Sequence, residues 1–192
     1  MAMALLPRTV LLALAVAFPS ASFAQEARTF EAADGAYSFQ YPSNFGLDRQ
    51  FADGTGDVTG VKASSPANGD VIITFLGPRD PGGLNEVSER TREPIVDEFR
   101  KAIAVRPTMT LQLSAMTTML GQPAVDMVFS NARWPFTKER PQIKRYVFTV
   151  ANGKAYNFEC IYREDKAAEF APACERAVST VRLKGPRRTS RP

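Results

Sequence analysis

Residues 144–163, KRYVFTVANGKAYNFECIYR, followed by 164–183, EDKAAEFAPACERAVSTVRL, decide how this chain folds. Asn152-Gly153 stands between two runs rich in β-branched and aromatic residues. A type I′ hairpin turn needs positive φ at both central residues, which Asn-Gly supplies at least cost. That turn predicts a register in which Val147 faces Phe158, Thr149 faces Tyr156 and Arg145 faces Cys160. Strand alternation then puts Tyr156, Phe158, Cys160 and Tyr162 on one face. Downstream, Phe170, Cys174, Ala177, Val178 and Val181 recur at helical spacing and form an apolar stripe. A helix laid on the sheet by that stripe brings Cys174 over Cys160, so a disulfide is expected between them. In the chain-entropy picture, closing a loop of that length stabilises a fold by roughly 3 kcal/mol. The alternative is two separate buried thiols. Pro172 either sits in the first turn of a helix starting near Ala171 or lies inside a longer one starting near Asp165.

Outward from that module, the N-terminus reads as a signal peptide over residues 1–24. Arg8 gives a short positive region, Val10 to Phe18 is apolar, and Ser22-Phe23-Ala24 offers small residues for cleavage after Ala24. The alternative is an uncleaved signal anchor. No cysteine follows the cleavage site, which argues against a lipoprotein anchor, and there is no twin arginine. Removal of 24 of the 192 residues leaves a length suited to one domain, 25–183, and a basic tail, 184–192. Two cysteines on an exported chain imply an oxidising compartment, so the expected location is periplasmic or secreted.

The formal net charge of +4 is carried by the ends. Without Arg8 and the tail cations Lys184, Arg187, Arg188 and Arg191, the folded part is at −1. A near-neutral body with a short basic tail is not the profile of a nucleic-acid binder. The tail reads as disordered, with weak contact to an anionic lipid or wall polymer as its functional reading.

Before the hairpin the chain reads as strands, a helix and more strands. Thr29 to Ala32 suits an edge strand, Asp34-Gly35 a turn, and Tyr37, Phe39 and Tyr41 alternate onto a core face. Val61 to Ala63 and Val71 to Leu76 are further strands, and Gly77 to Gly83 is the clearest break. Leu84 to Ala104 reads as an amphipathic helix whose better half follows Pro94, with Ile95, Phe99 and Ala102 or Ile103 as the buried stripe. Leu111 to Met119 and Ala124 to Phe129 are strands joined through Leu120 to Pro123. Short turns between successive strands mean a mainly antiparallel sheet, so the fold class is α+β, one sheet flanked by helices.

The strand Tyr37-Ser38-Phe39-Gln40-Tyr41-Pro42, the turn Gly121-Gln122-Pro123-Ala124, the Gly153-Lys154 hairpin and a terminal helix running through Ser179 to Leu183 resemble the PsbP/Mog1-like superfamily. That resemblance implies an α/β/α sandwich around an antiparallel sheet, covering most of Ala27 to Leu183. It also implies an accessory, assembly or small binding role without a catalytic centre. It carries over no functional residue, since its motifs mark turns.

The chain has no histidine, which removes histidine-based nucleophilic schemes and the usual zinc and copper sites. The cysteines are not in a C-x-x-C arrangement, and Gly77 to Gly83 lacks the Lys-Ser/Thr of a phosphate loop. No catalytic residue, cofactor or metal is therefore expected. Asp53-Gly54-Thr55-Gly56-Asp57 lacks the spacing and closing glutamate of a calcium loop and reads as a flexible segment. Glu86, Glu89, Glu93, Asp97 and Glu98 interleave with Arg90, Arg92, Arg100 and Lys101, which reads as a solvated, salt-bridged helix face.

The candidate interaction loop holds Arg133, Trp134, Phe136, Lys138 and Arg140, where the only tryptophan stands beside cations. Rigid rings and guanidinium forks suit recognition, the alternative being that Trp134 folds back over the core. The preferred reading is an exported, non-enzymatic protein that binds a protein partner or an apolar or anionic small ligand through this loop and the groove between it and the sheet. One competing class is a periplasmic hydrolase using a carboxylate pair, or Ser114 or Ser130 with Lys144 or Lys154. The other is a structural envelope protein touching lipid or wall polymer through its tail.

Overall fold

The structure is a computed structural model that describes residues 26–32, 37–48, 58–65, 69–104, 109–132 and 141–184. The expected signal peptide, the Asp34-Gly35 turn, the Asp53 to Asp57 segment, loop residues 133–140 and tail residues 185–192 lie outside them. Strands β1 (Ala27–Glu31), β2 (Tyr37–Pro42), β3 (Gly46–Asp48), β4 (Val58–Ser65) and β5 (Gly69–Arg79) precede helix α1 (Glu89–Ala104). Strands β6 (Thr110–Met119), β7 (Gln122–Ala132), β8 (Gln142–Ala151) and β9 (Lys154–Arg163) follow. A 3₁₀ turn, helix α2 (Ala167–Thr180) and the short β10 (Arg182–Leu183) complete the chain.

The fold is α+β and antiparallel throughout, as expected, but the strands divide between two sheets. A seven-stranded sheet has the order β3-β4-β5-β9-β8-β7-β6, and a three-stranded one the order β1-β2-β10. The first strands join the C-terminal β10, in which Arg182 opposes Ser38 and Leu183 opposes Tyr37. No local signal announces so short a strand or so distant a partner.

The β8–β9 hairpin has the register its turn dictates. Val147 opposes Phe158, Thr149 opposes Tyr156 and Arg145 opposes Cys160, with φ of 53° at Asn152 and 68° at Gly153. A second turn of the same kind joins β6 to β7 at Leu120 (φ 57°) and Gly121 (φ 72°). It is tighter than the Leu120 to Pro123 link expected, because β7 already begins at Gln122.

Strand β5 runs on to Arg79, through the Gly77-Pro78 pair expected to end it. A register shift between Leu76 and Arg79 accommodates the proline, since a bulge removes the need for its missing N–H. Gly77 is required there: at φ +134° a Cβ would stand 2.8 Å from the Ala155 carbonyl and 2.8 Å from the Tyr156 ring.

Each face of the large sheet carries its own core. On one face Phe75, Val147, Tyr156, Phe158 and Cys160 meet α2 (Phe170, Cys174, Ala177, Val178) and the small sheet (Phe30, Tyr37, Phe39). The rings interlock, with centroids 4.7 Å apart for Tyr37–Phe75, 5.0 Å for Phe30–Phe39 and 6.0 Å for Phe39–Phe158. Helix α2 is the longer of the two alternatives and carries Pro172 in its interior.

On the other face Val125, Met127, Phe129, Tyr146 and Val150 meet Val87, Ile95 and Val96, with Phe99 half-buried against them. Helix α1 begins later than expected, so Leu84 and Val87 reach this core from an irregular lead-in. Val96 is buried beside Ile95, and Ala102, one of the two alternatives for the end of the stripe, is exposed, while the Ile103 side chain lies outside the described ones.

Candidate functional site

Cys160 on β9 and Cys174 on α2 stand at disulfide distance, with Cα atoms 6.1 Å apart, and both are fully buried. Arg145, next to Cys160 across the hairpin, ties α2 to the sheet a second time, linking β8 to β7 and to α2 electrostatically. Its Nε donates to Asp126 Oδ1 at 2.9 Å and its Nη2 to Oδ2 at 2.6 Å. Its Nη1 reaches Glu175 of α2 at 2.7 Å. Burial works against the guanidinium charge, but hydrogen bonds and attraction from Asp126, then Glu175, outweigh it and hold its pKa above the usual value. This network escaped the sequence reading, although Asp126 at an inward position of an apolar strand was its signal.

The opposite face holds a second buried cation. Lys144 Nζ lies 2.6 Å from Glu159 Oε1 and donates to the Tyr146 hydroxyl at 2.7 Å. Its expected serine partners are elsewhere. Ser130 follows Phe129 on β7, which puts it on the face away from Lys144, and its hydroxyl accepts from Gln112 Nε2 at 2.7 Å. Ser114 lies on β6, two strands from Lys144. Lys154 is exposed beside the hairpin turn. The acidic residues of α1 are tied to its basic ones as expected, with Arg100–Asp97 at 2.7 Å, Lys101–Glu98 at 2.6 Å and Arg92–Glu89 at 3.0 Å. Among the described residues no group of acidic and cysteine side chains is placed to hold a metal ion.

Among the described residues, a groove of about 370 Å³ lies beside α1. Leu84, Pro94, Ile95, Phe99, Phe148 and Ala155 form its apolar surface, and Asp80 and Glu98 stand at its rim. Three elements meet there because β5 overruns into the Asp80 to Leu84 segment, α1 presents Ile95 and Phe99, and the β8–β9 hairpin presents Phe148 and Ala155. Pro94 contributes apolar surface at that point of α1. The groove lies toward the Asn152-Gly153 end of the sheet. The interaction-loop residues Arg133, Trp134, Phe136, Lys138 and Arg140 lie outside the described residues; the flanking strand ends, Ala132 of β7 and Gln142 of β8, pair at the other end of the sheet. From Gln142 to Phe148 along β8 is about 20 Å at the usual strand rise.

No protein-family model matches the sequence, and no curated protein matches it. Solved structures do match in fold. The solution structure of cyanobacterial PsbP (CyanoP) from Synechocystis is similar with a TM-score of 0.52 at 12% identity, covering 88% of this chain and 99% of that one. The Ran-binding protein Mog1p of Saccharomyces cerevisiae matches with a TM-score of 0.52 at 8% identity, over 83% of this chain and 96% of that one. LpqN of Mycobacterium tuberculosis, involved in cell envelope biogenesis, matches with a TM-score of 0.51 at 13% identity, over 83% and 91%. The chain therefore has a PsbP/Mog1-like fold. At these identities the likeness concerns the backbone and carries no site residue.

Proposed function

We propose that this is an exported, non-enzymatic binding protein that takes an apolar group of a partner protein or small ligand into the α1 groove. The observation that carries the reading is the groove itself. Its volume of about 370 Å³ falls in the range of ligand pockets, and its apolar lining with few polar groups is what such pockets have. Phe99 and Phe148 meet edge-on, 6.0 Å between centroids, and give it an aromatic wall. Export is supported by the signal-like residues 1–24 and by the apposed cysteines. Mog1p, a Ran-binding protein of the same fold, supports binding as the kind of role, and LpqN supports an envelope setting.

The test is titration with Nile red, an uncharged probe whose fluorescence rises in apolar sites. The wild type should bind it, and Leu84→Trp, which fills the groove from a segment outside any helix or strand, should bind it several-fold more weakly with an unchanged melting temperature. No binding by the wild type, or equal binding by the variant, would overturn the groove as the site. The interaction loop is proposed as a second contact, since its sequence sets the only tryptophan and a phenylalanine beside three cations. Red-shifted, readily quenched Trp134 emission is expected, whereas blue, protected emission would remove it.

A further inference from the structure

The outermost strand of the large sheet beside β7 is β6, residues Thr110–Met119, TLQLSAMTTM. It has ten residues, no charge and no proline, and the uncharged run extends from Pro107 to Val125. The other described edges are different. Strand β3, at the far side of the same sheet, has three residues and includes Asp48. In the small sheet β1 carries Arg28 and Glu31, and β10 has two residues, one of them Arg182. Proteins ordinarily blunt a strand edge by shortness, charge, proline or a bulge, because its free N–H and C=O groups are a template for another strand. On β6 the bulge falls between Leu111 and Leu113, so Leu113 through Met119 keeps an unbroken register. Leu113, 47% exposed, is the exposed large hydrophobic residue among those described.

We propose that β6 pairs antiparallel with β6 of a second copy of this chain across a two-fold axis, joining two seven-stranded sheets into one. The charge pattern selects the occupant. In a two-fold pairing every residue meets a residue of the same segment, so a charge near the axis would meet its own copy, at a cost. A strand with none meets no such penalty, and it offers no countercharge to a charged foreign strand. Pairing with β7 puts Leu113 opposite Val128 and Ala115 opposite Asp126, on the α2 side of the sheet. Leu113, Ala115 and Thr117 then form a small uncharged stripe that meets its own copy. The surface is distinct from the α1 groove, so dimerisation and ligand binding fail or succeed independently.

The test is sedimentation velocity of the exported protein across micromolar concentrations, beside the double variant Leu113→Lys/Thr117→Lys. The wild type should sediment as a dimer and the variant, with like charges placed along the edge, as a monomer. Hydrogen exchange on the wild type gives a reading that does not depend on the variant folding. Peptides covering 110–119 should exchange more slowly as concentration rises, while those covering 154–163 should not change. A wild type monomeric throughout, a dimer that the double variant keeps, or β6 exchange independent of concentration would each overturn the proposal.

Discussion

The two faces of the seven-stranded sheet are built for different ends. The α2 face is closed: the cysteine pair, the Arg145 ion network and the interlocked rings of the small sheet converge on it, and Phe158 and Phe170 are wholly buried. The α1 face is covered by one helix whose Phe99 is only half-buried and which leaves a groove along its edge. Stability is therefore expected to concentrate on the first face. The second can open or fill a cavity at modest cost.

The sharpest way to break that contrast is a pair of truncations. Phe158→Ala should lower unfolding free energy by about 3–5 kcal/mol, as for fully buried aromatics, and Phe99→Ala by roughly half as much or less. Urea denaturation measures both, and equal losses would mean that the faces are not different in kind. Cys160→Ala should cost about 3 kcal/mol in oxidising buffer, given the 14-residue separation from Cys174. After reduction its melting temperature should match the wild type's; the same deficit in both buffers would show that the sulfurs are not bonded.

Gly77→Ala should cost on the order of 1–3 kcal/mol, because its Cβ would press on the Ala155 carbonyl and Tyr156 where the hairpin crosses β5. A neutral result would mean that this junction yields. The smallest expected effect is alkaline. Burial raises the pKa of the Tyr162 hydroxyl, a shift that Arg145 opposes and Asp126 assists. The unfolded chain then loses that proton first, so this stability is present below pH of about 10 and is lost as pH rises beyond it. Tyr162→Phe should flatten that part of the stability–pH curve, and an unchanged slope would remove Tyr162 as its source.

What the sequence made legible was local. Asn152-Gly153 dictated a ten-residue register because the turn and the side-chain alternation agree. The stripe from Phe170 to Val178 placed α2 for the same reason. The separate small sheet was not legible, since Tyr37, Phe39 and Tyr41 alternate identically whichever sheet they join. The β6–β7 turn was harder because Leu120 occupies a left-handed position that Gly or Asn usually marks. The groove was least legible. Asp80, Ile95, Phe148 and Ala155 come from separate elements, and no spacing along the chain relates them.

One ladder has a consequence for the timing of folding. Strands β3, β4 and β5 form one run, β6 to β9 another, and the pairing of β5 with β9 joins them. A chain delivered N-terminus first can pair β5 with β4 at once, but has nothing to place against its other edge until β9 arrives, about half the domain later. Such distant closure is slow. A sheet that closes so late leaves the polypeptide threadable for longer, which suits the export proposed above, since a narrow translocation channel passes only an unfolded chain.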